Sequence, residues 1–121
     1  IKLIGKVDHP EDYLKSSNLY IHGATIEPFG LVLLEAMASG LPVLSTDGFG
    51  NRDLIINNYN GYLFPDRDKV KFANTIAEIY NNSEKHNKLS KNSFEFSKKY
   101  DIKPYVDKLI KLYQKNIENL D

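Results

Sequence analysis

The sequence predicts an α/β domain: a parallel sheet of about four strands, helices on both faces and a helical C-terminal tail. Three observations predict it. In the first half, short apolar runs bounded by Gly, Pro and Asn alternate with helical segments, the order that builds parallel sheets. The second half carries apolar residues at helical spacing almost throughout. The 121 residues are 41% hydrophobic and 26% charged, enough apolar side chain for one packed domain and too much for disorder.

The elements follow in order. Residues 1–4, 19–23, 42–45 and 61–64 read as strands. A short helix begins at Pro10 with Asp8 or His9 as its cap, since Pro favours the first helical turn. A second helix runs from about residue 30 to 39 and stops at Gly40, with Pro42 beyond. One or two further turns are expected around residues 53–56. Three helices fill the second half. The first has Val70, Ala73, Ile76, Ala77 and Tyr80 on one face, and the next carries Leu89, Phe96 and Tyr100. The last starts near Pro104 and presents Val106, Leu109, Ile110, Tyr113, Ile117 and Leu120 as one amphipathic stripe.

Composition excludes several classes. Sixteen basic and sixteen acidic side chains cancel, so no field favours nucleic acid. The absence of cysteine removes disulfides, thiolate catalysis and cysteine zinc sites. His9, His22 and His86 are too scattered to form a local metal motif. The longest apolar run, residues 31–34, is far too short to span a bilayer. Residues 1–60 net −3 and residues 61–121 net +3. The lysines of the last two helices read as a solvated face, or more sharply as weak attraction to an anionic membrane surface. The first residue is Ile1, already in a strand-like run, so the chain is expected to be a piece of a longer protein.

One stretch carries the chemistry: residues 25–43, TIEPFGLVLLEAMASGLPV. Its helix is apolar on every side, which predicts burial. Glu35 is its single charge, and a carboxylate in such surroundings needs donors; a ligand bearing hydroxyls would serve. At the N-terminus, Phe29, Gly30, Leu31 and Val32 each offer an amide without an intrahelical acceptor. Those amides and the helix dipole suit an anion, most commonly a diphosphate. Gly30 lets a ligand approach the backbone closely. Leu31 and Glu35 share a face about 6 Å apart along the axis, and Glu27 overhangs the mouth. Two acceptor-only carboxylates around one amide cluster suit a ligand with hydroxyls at both ends and phosphate between them: a nucleotide sugar.

Here the sequence resembles the retaining family 4 glycosyltransferases, the glycosyl transferases group 1. Glu27 and Glu35, with seven residues between them, match the paired-glutamate signature within E-P-F-G-L-x-x-x-E-A-M-A-x-G-x-P-V. Residues 1–7 look like the family's strand ending in Gly, and residues 60–64 like the turn and strand that follow the signature. The resemblance implies a Rossmann-like, partial C-terminal domain over residues 1–121, the donor-binding half of a two-domain GT-B enzyme. It implies sugar transfer from a nucleotide sugar, with retained configuration and without metal or cofactor, to a glycan or lipid-linked acceptor. Bacterial surface polysaccharide or glycoconjugate synthesis is the implied setting, in the cytoplasm or at the inner membrane face. Glu27 would be the catalytic residue and bind sugar hydroxyls. The amides of Phe29, Gly30 and Leu31 would meet sugar and diphosphate, Glu35 the ribose, and the backbone at Lys6 and Val7 the base. The partner implied is the N-terminal domain of the same enzyme, which is not in this sequence. Nor are the family's upstream Gly-rich turn and basic pair, so the chain alone is expected to be inactive.

Other residues keep two readings. His22 packs or caps, or touches a donor phosphate. Arg52 pairs with Asp47 or Asp53, or reaches a phosphate. Met37 reads as core and the tyrosines as packing. Gly48-x-Gly50 lacks a third glycine, and no helix is expected to open at it, so it is not a dinucleotide fingerprint. A phosphoacceptor receiver would need an acidic pair after its first strand, and a phosphorylase-like enzyme a lysine for pyridoxal phosphate; neither is offered. A non-catalytic sugar-nucleotide-binding module of the same fold remains as the alternative.

Overall fold

A computed structural model describes residues 1–65 and 68–118. The short helix α1 (Pro10–Lys15) leads into β1 (Tyr20–His22), α2 (Leu31–Ala38), β2 (Val43–Thr46), α3 (Phe49–Leu54) and β3 (Gly61–Phe64). Three helices follow: α4 (Lys69–Asn81), α5 (Ser83–Ser97) and, after a 3-10 turn at Lys98–Tyr100, α6 (Ile102–Glu118). The strands form one parallel sheet in the order β1-β2-β3, with Tyr20 opposite Val43 and Val43 opposite Gly61.

Alternation along β2 divides the core between the two faces of the sheet. Val43 joins Leu33, Ala36 and Met37 of α2, Leu54 of α3 and Phe96 of α5. Its neighbour Leu44 joins Phe64, Ile79 of α4 and Leu89 of α5. Helix α5 thus closes both clusters. It is held down by the Ser90 hydroxyl, which donates to Gly40 O at 2.6 Å, and by that of Ser93, which donates to Asn60 O at 2.7 Å.

Several expectations are corrected. Among the described residues the sheet has three strands, where about four were expected. Residues 1–4 are exposed and form no ladder, and an apolar run becomes a strand only when a neighbour takes its backbone groups. Helix α3 opens at Phe49, with Gly48 as its N-cap, four residues before the expected turns and at the Gly-x-Gly where none was expected. In α4 the buried side is Phe72, Thr75, Ile76 and Ile79, and only Ile76 belongs to the expected stripe; Val70 and Tyr80 face outward. The Asp68 carboxylate accepts from Lys71 N at 3.1 Å, and the Phe72 and Phe64 rings lie 4.8 Å apart. Cap and ring pair turn the helix away from its most apolar stripe.

Helix α2 is buried on one face only: Leu33, Ala36 and Met37 are inside, while Leu31 is 65% exposed. Sheet and α5 cover one side, and nothing among the described residues covers the other. Similarly, α6 begins at Ile102, with Pro104 in its first turn, but its stripe stays exposed at Val106, Ile110, Tyr113 and Ile117; Leu120 lies outside the described residues. Among the described residues no helix is long and apolar enough to cross a membrane.

Candidate functional site

Strand β1 ends at His22, and the chain leaves the sheet's carboxyl edge and crosses eight residues before entering α2. This loop is held from below. The Thr46 hydroxyl donates to Ala24 O at 2.7 Å, and the buried Asn51 amide donates to Ala24 O at 3.1 Å and Thr46 O at 2.9 Å. The Gly50 amide donates to Glu27 O at 2.9 Å. Gly30 completes the turn in the left-handed region, φ 90°, as the N-cap of α2, a conformation glycine adopts without cost to a side chain.

The Glu27 side chain folds back over this cap. Its Oε1 accepts from the Gly30 amide at 3.1 Å, and its Oε2 lies 3.6 Å from His22 Nε2. One of the four amides expected to be open is therefore occupied. Those of Leu31 and Val32 begin the helix and have no acceptor within it.

Glu35 sits one turn further on. It is exposed, so the expected desolvated carboxylate is instead hydrated. It lines a cleft of about 280 Å³ with Gly5, Val7, Tyr13, Tyr20 and Val32. Burial, together with the charges of Glu35 and Glu27, pushes the Tyr20 phenol above its ordinary range. The phenol therefore stays protonated at neutral pH.

The structure thus gathers Val7 and Glu35 in one cleft and Glu27 with Gly30 at the helix mouth. The side chains of Phe29 and Leu31 instead line a separate groove of about 460 Å³ with Leu34, Tyr100, Tyr105 and Lys108, where the Phe29 ring meets Tyr100 edge-on at 6.1 Å. Lys6 is exposed and lines neither. Arg52 resolves to an ion pair with Asp47, whose hydrogen bond and charge raise the guanidinium's pKa further.

Sequence reasoning missed Tyr20, Thr46, Gly50 and Asn51. A tyrosine on a strand rather than a helix face was the available signal for Tyr20. The other three act through contacts between separate segments, which local pattern does not carry.

A parallel α/β domain with a glutamate at a helix mouth and a second one turn along that helix has the build of a nucleotide-sugar-dependent glycosyltransferase domain of the GT-B type. The chain belongs to the family described as glycosyl transferases group 1, whose model matches residues 1–96. It is 37% identical over 92 residues to the GtfA subunit of a UDP-N-acetylglucosamine–peptide N-acetylglucosaminyltransferase from Streptococcus agalactiae, covering 69% of this chain and 18% of that one. The pneumococcal O-GlcNAc transferase GtfA, solved with UDP and GlcNAc, superposes with a TM-score of 0.82 at 27% identity, over 95% of this chain and 24% of that one. The C-terminal domain of the group 1 glycosyltransferase LpcC from Francisella tularensis superposes with a TM-score of 0.73 at 25% identity, over 84% of this chain and 53% of the solved domain. The chain spans less than a fifth of the length of the S. agalactiae relative.

Proposed function

We propose that this chain is the donor-binding part of a retaining glycosyltransferase that moves a sugar from a nucleotide sugar to a glycan or lipid-linked acceptor. One observation carries the reading: Glu27 folds over the Gly30 amide at the mouth of α2, and Glu35, on that same helix, lines a cleft with Gly5 and Val7. The base would lie against the backbone of Lys6 and Val7 and the ribose against Glu35. The diphosphate would take the amides of Phe29 and Leu31, that of Gly30 being held by Glu27. The sugar hydroxyls would donate to Glu27, the residue proposed as catalytic. The pneumococcal relative is solved in complex with UDP, which supports a nucleotide ligand.

The reading includes no metal and no cofactor. It places the acceptor on an N-terminal domain of the same enzyme, in the cytoplasm or at the inner membrane face, in bacterial surface polysaccharide or glycoconjugate synthesis. The exposed lysines of α5 and α6 suit weak attraction to anionic lipid. Because closure of two domains supplies orientation and excludes water, these 121 residues by themselves should bind donor without transferring sugar. The second reading, a non-catalytic sugar-nucleotide module, shares the binding and lacks the transfer in the whole protein.

Nuclear magnetic resonance titration with uridine, guanosine and adenosine diphosphates tests the site. Shifts should cluster at residues 29–35 and at Gly5 to Val7. Clustering elsewhere would overturn the assignment.

A further inference from the structure

We propose that His22 is a positioning residue for Glu27: its buried Nε2 donates to Glu27 Oε2 and holds the carboxylate across the mouth of α2. The inference rests on the donor-site reading given above.

Three observations carry it. The His22 Nε2 is buried and has no hydrogen-bond partner among the described residues, a state that proteins avoid because a buried polar atom left unpaired is costly. A carboxylate oxygen, Glu27 Oε2, stands 3.6 Å away, so a small side-chain rotation closes a charge-assisted hydrogen bond. The imidazole itself is fixed: His22 is the last residue of β1, paired in register with Ser45, and its ring lies 6.2 Å from that of Tyr20 at 19°.

The other carboxylate oxygen already accepts from the Gly30 amide. With that bond closed, Glu27 is gripped on both oxygens, by main chain on one side and by imidazole on the other. A carboxylate has about four lone-pair directions, so two remain for sugar hydroxyls. Fixing the first two sets where the others point. Through Glu27, His22 would decide the sugar contact and leave the nucleoside contacts at Glu35 and Val7 untouched.

The 121-residue chain is compared with His22→Leu, His22→Gln and Glu27→Gln variants. Affinities are measured for UDP-glucose, UDP-N-acetylglucosamine and GDP-mannose, each beside its own nucleoside diphosphate. The expected result is a loss of about tenfold for the sugar nucleotide in His22→Leu, little change for the diphosphate, and recovery in His22→Gln, whose amide donates from a similar reach. Equal losses for both ligands, or none, would overturn the positioning role. A ligand-free arm decides independently: Glu27→Gln should shift the imidazole nitrogen resonances of His22, and an unmoved spectrum would overturn the pairing. If no nucleotide binds even the parent chain, the donor-site reading fails while the spectrum still decides the pair.

Discussion

The Gly50 amide donates to the Glu27 carbonyl at 2.9 Å, and a Cβ built on Gly50 would stand 2.5 Å from that same oxygen and 2.8 Å from Phe29 N. The first turn of α3 is thus pressed against the backbone of the signature loop, closer than any side chain permits. Gly50→Ala should push that loop off its seat and destabilise the chain by about 1–3 kcal/mol, the cost of overpacking a filled site. Thermal unfolding checks it, and an unchanged midpoint would show that the loop gives way freely.

Asn51 supports the loop with hydrogen bonds rather than close approach. Asn51→Ala should cost about 1–3 kcal/mol, because two buried bonds to Ala24 O and Thr46 O are lost. Asn51→Asp should cost more at neutral pH, since it turns a carboxylate towards two carbonyls. Urea unfolding of both variants gives the order.

Glu35→Ala should weaken nucleoside diphosphate binding about tenfold by removing the proposed ribose acceptor. Lys111→Ala, on exposed α6, should leave it unchanged. Calorimetric or magnetic resonance titration of the two variants separates a local contact from a general charge effect.

Tyr20 makes stability fall at alkaline pH. Its pKa is raised in the folded chain, by burial first and by Glu35 and Glu27 after it, so the folded state holds its proton to higher pH than the unfolded state. That contribution is fully present below the ordinary tyrosine value and is lost as pH rises through the raised one. Tyr20→Phe should flatten this part of the decline above about pH 10, measured as the variant-minus-parent difference in unfolding free energy across the alkaline range.

The two helices of the C-terminal half should respond oppositely to truncation. Leu89→Ala, buried in α5 beside Leu44 and Phe64, should cost about 2–5 kcal/mol. Ile110→Ser lies on the exposed face of α6 and should stay within about 0.5 kcal/mol of the parent. Chemical denaturation of each variant measures both.

Much of the fold was legible before any coordinates. Alternating short apolar runs and helices required a parallel sheet, and Pro42 with Gly40 closed α2 where expected. Leu89 and Phe96 pointed inward as their spacing indicated. The segment from Glu27 to Val43 was readable because its information is local: a glutamate, an N-cap glycine, and a second glutamate at a fixed distance along one helix.

What the sequence determined by itself is therefore what neighbouring residues encode: period, caps, breakers and the spacing of the two glutamates. The tertiary structure alone decided that residues 1–4 form no strand, that α3 starts at Phe49, that α4 buries Phe72 and Ile79, and that α2 and α6 leave apolar faces open. It alone set Tyr20 where the charges of both glutamates reach it, and His22 beside Glu27. Each of these depends on a contact between segments distant in the chain, such as Asn51 with Ala24, 27 residues apart. Such contacts leave no period in the sequence, because the geometry that rewards them exists only once the sheet has formed.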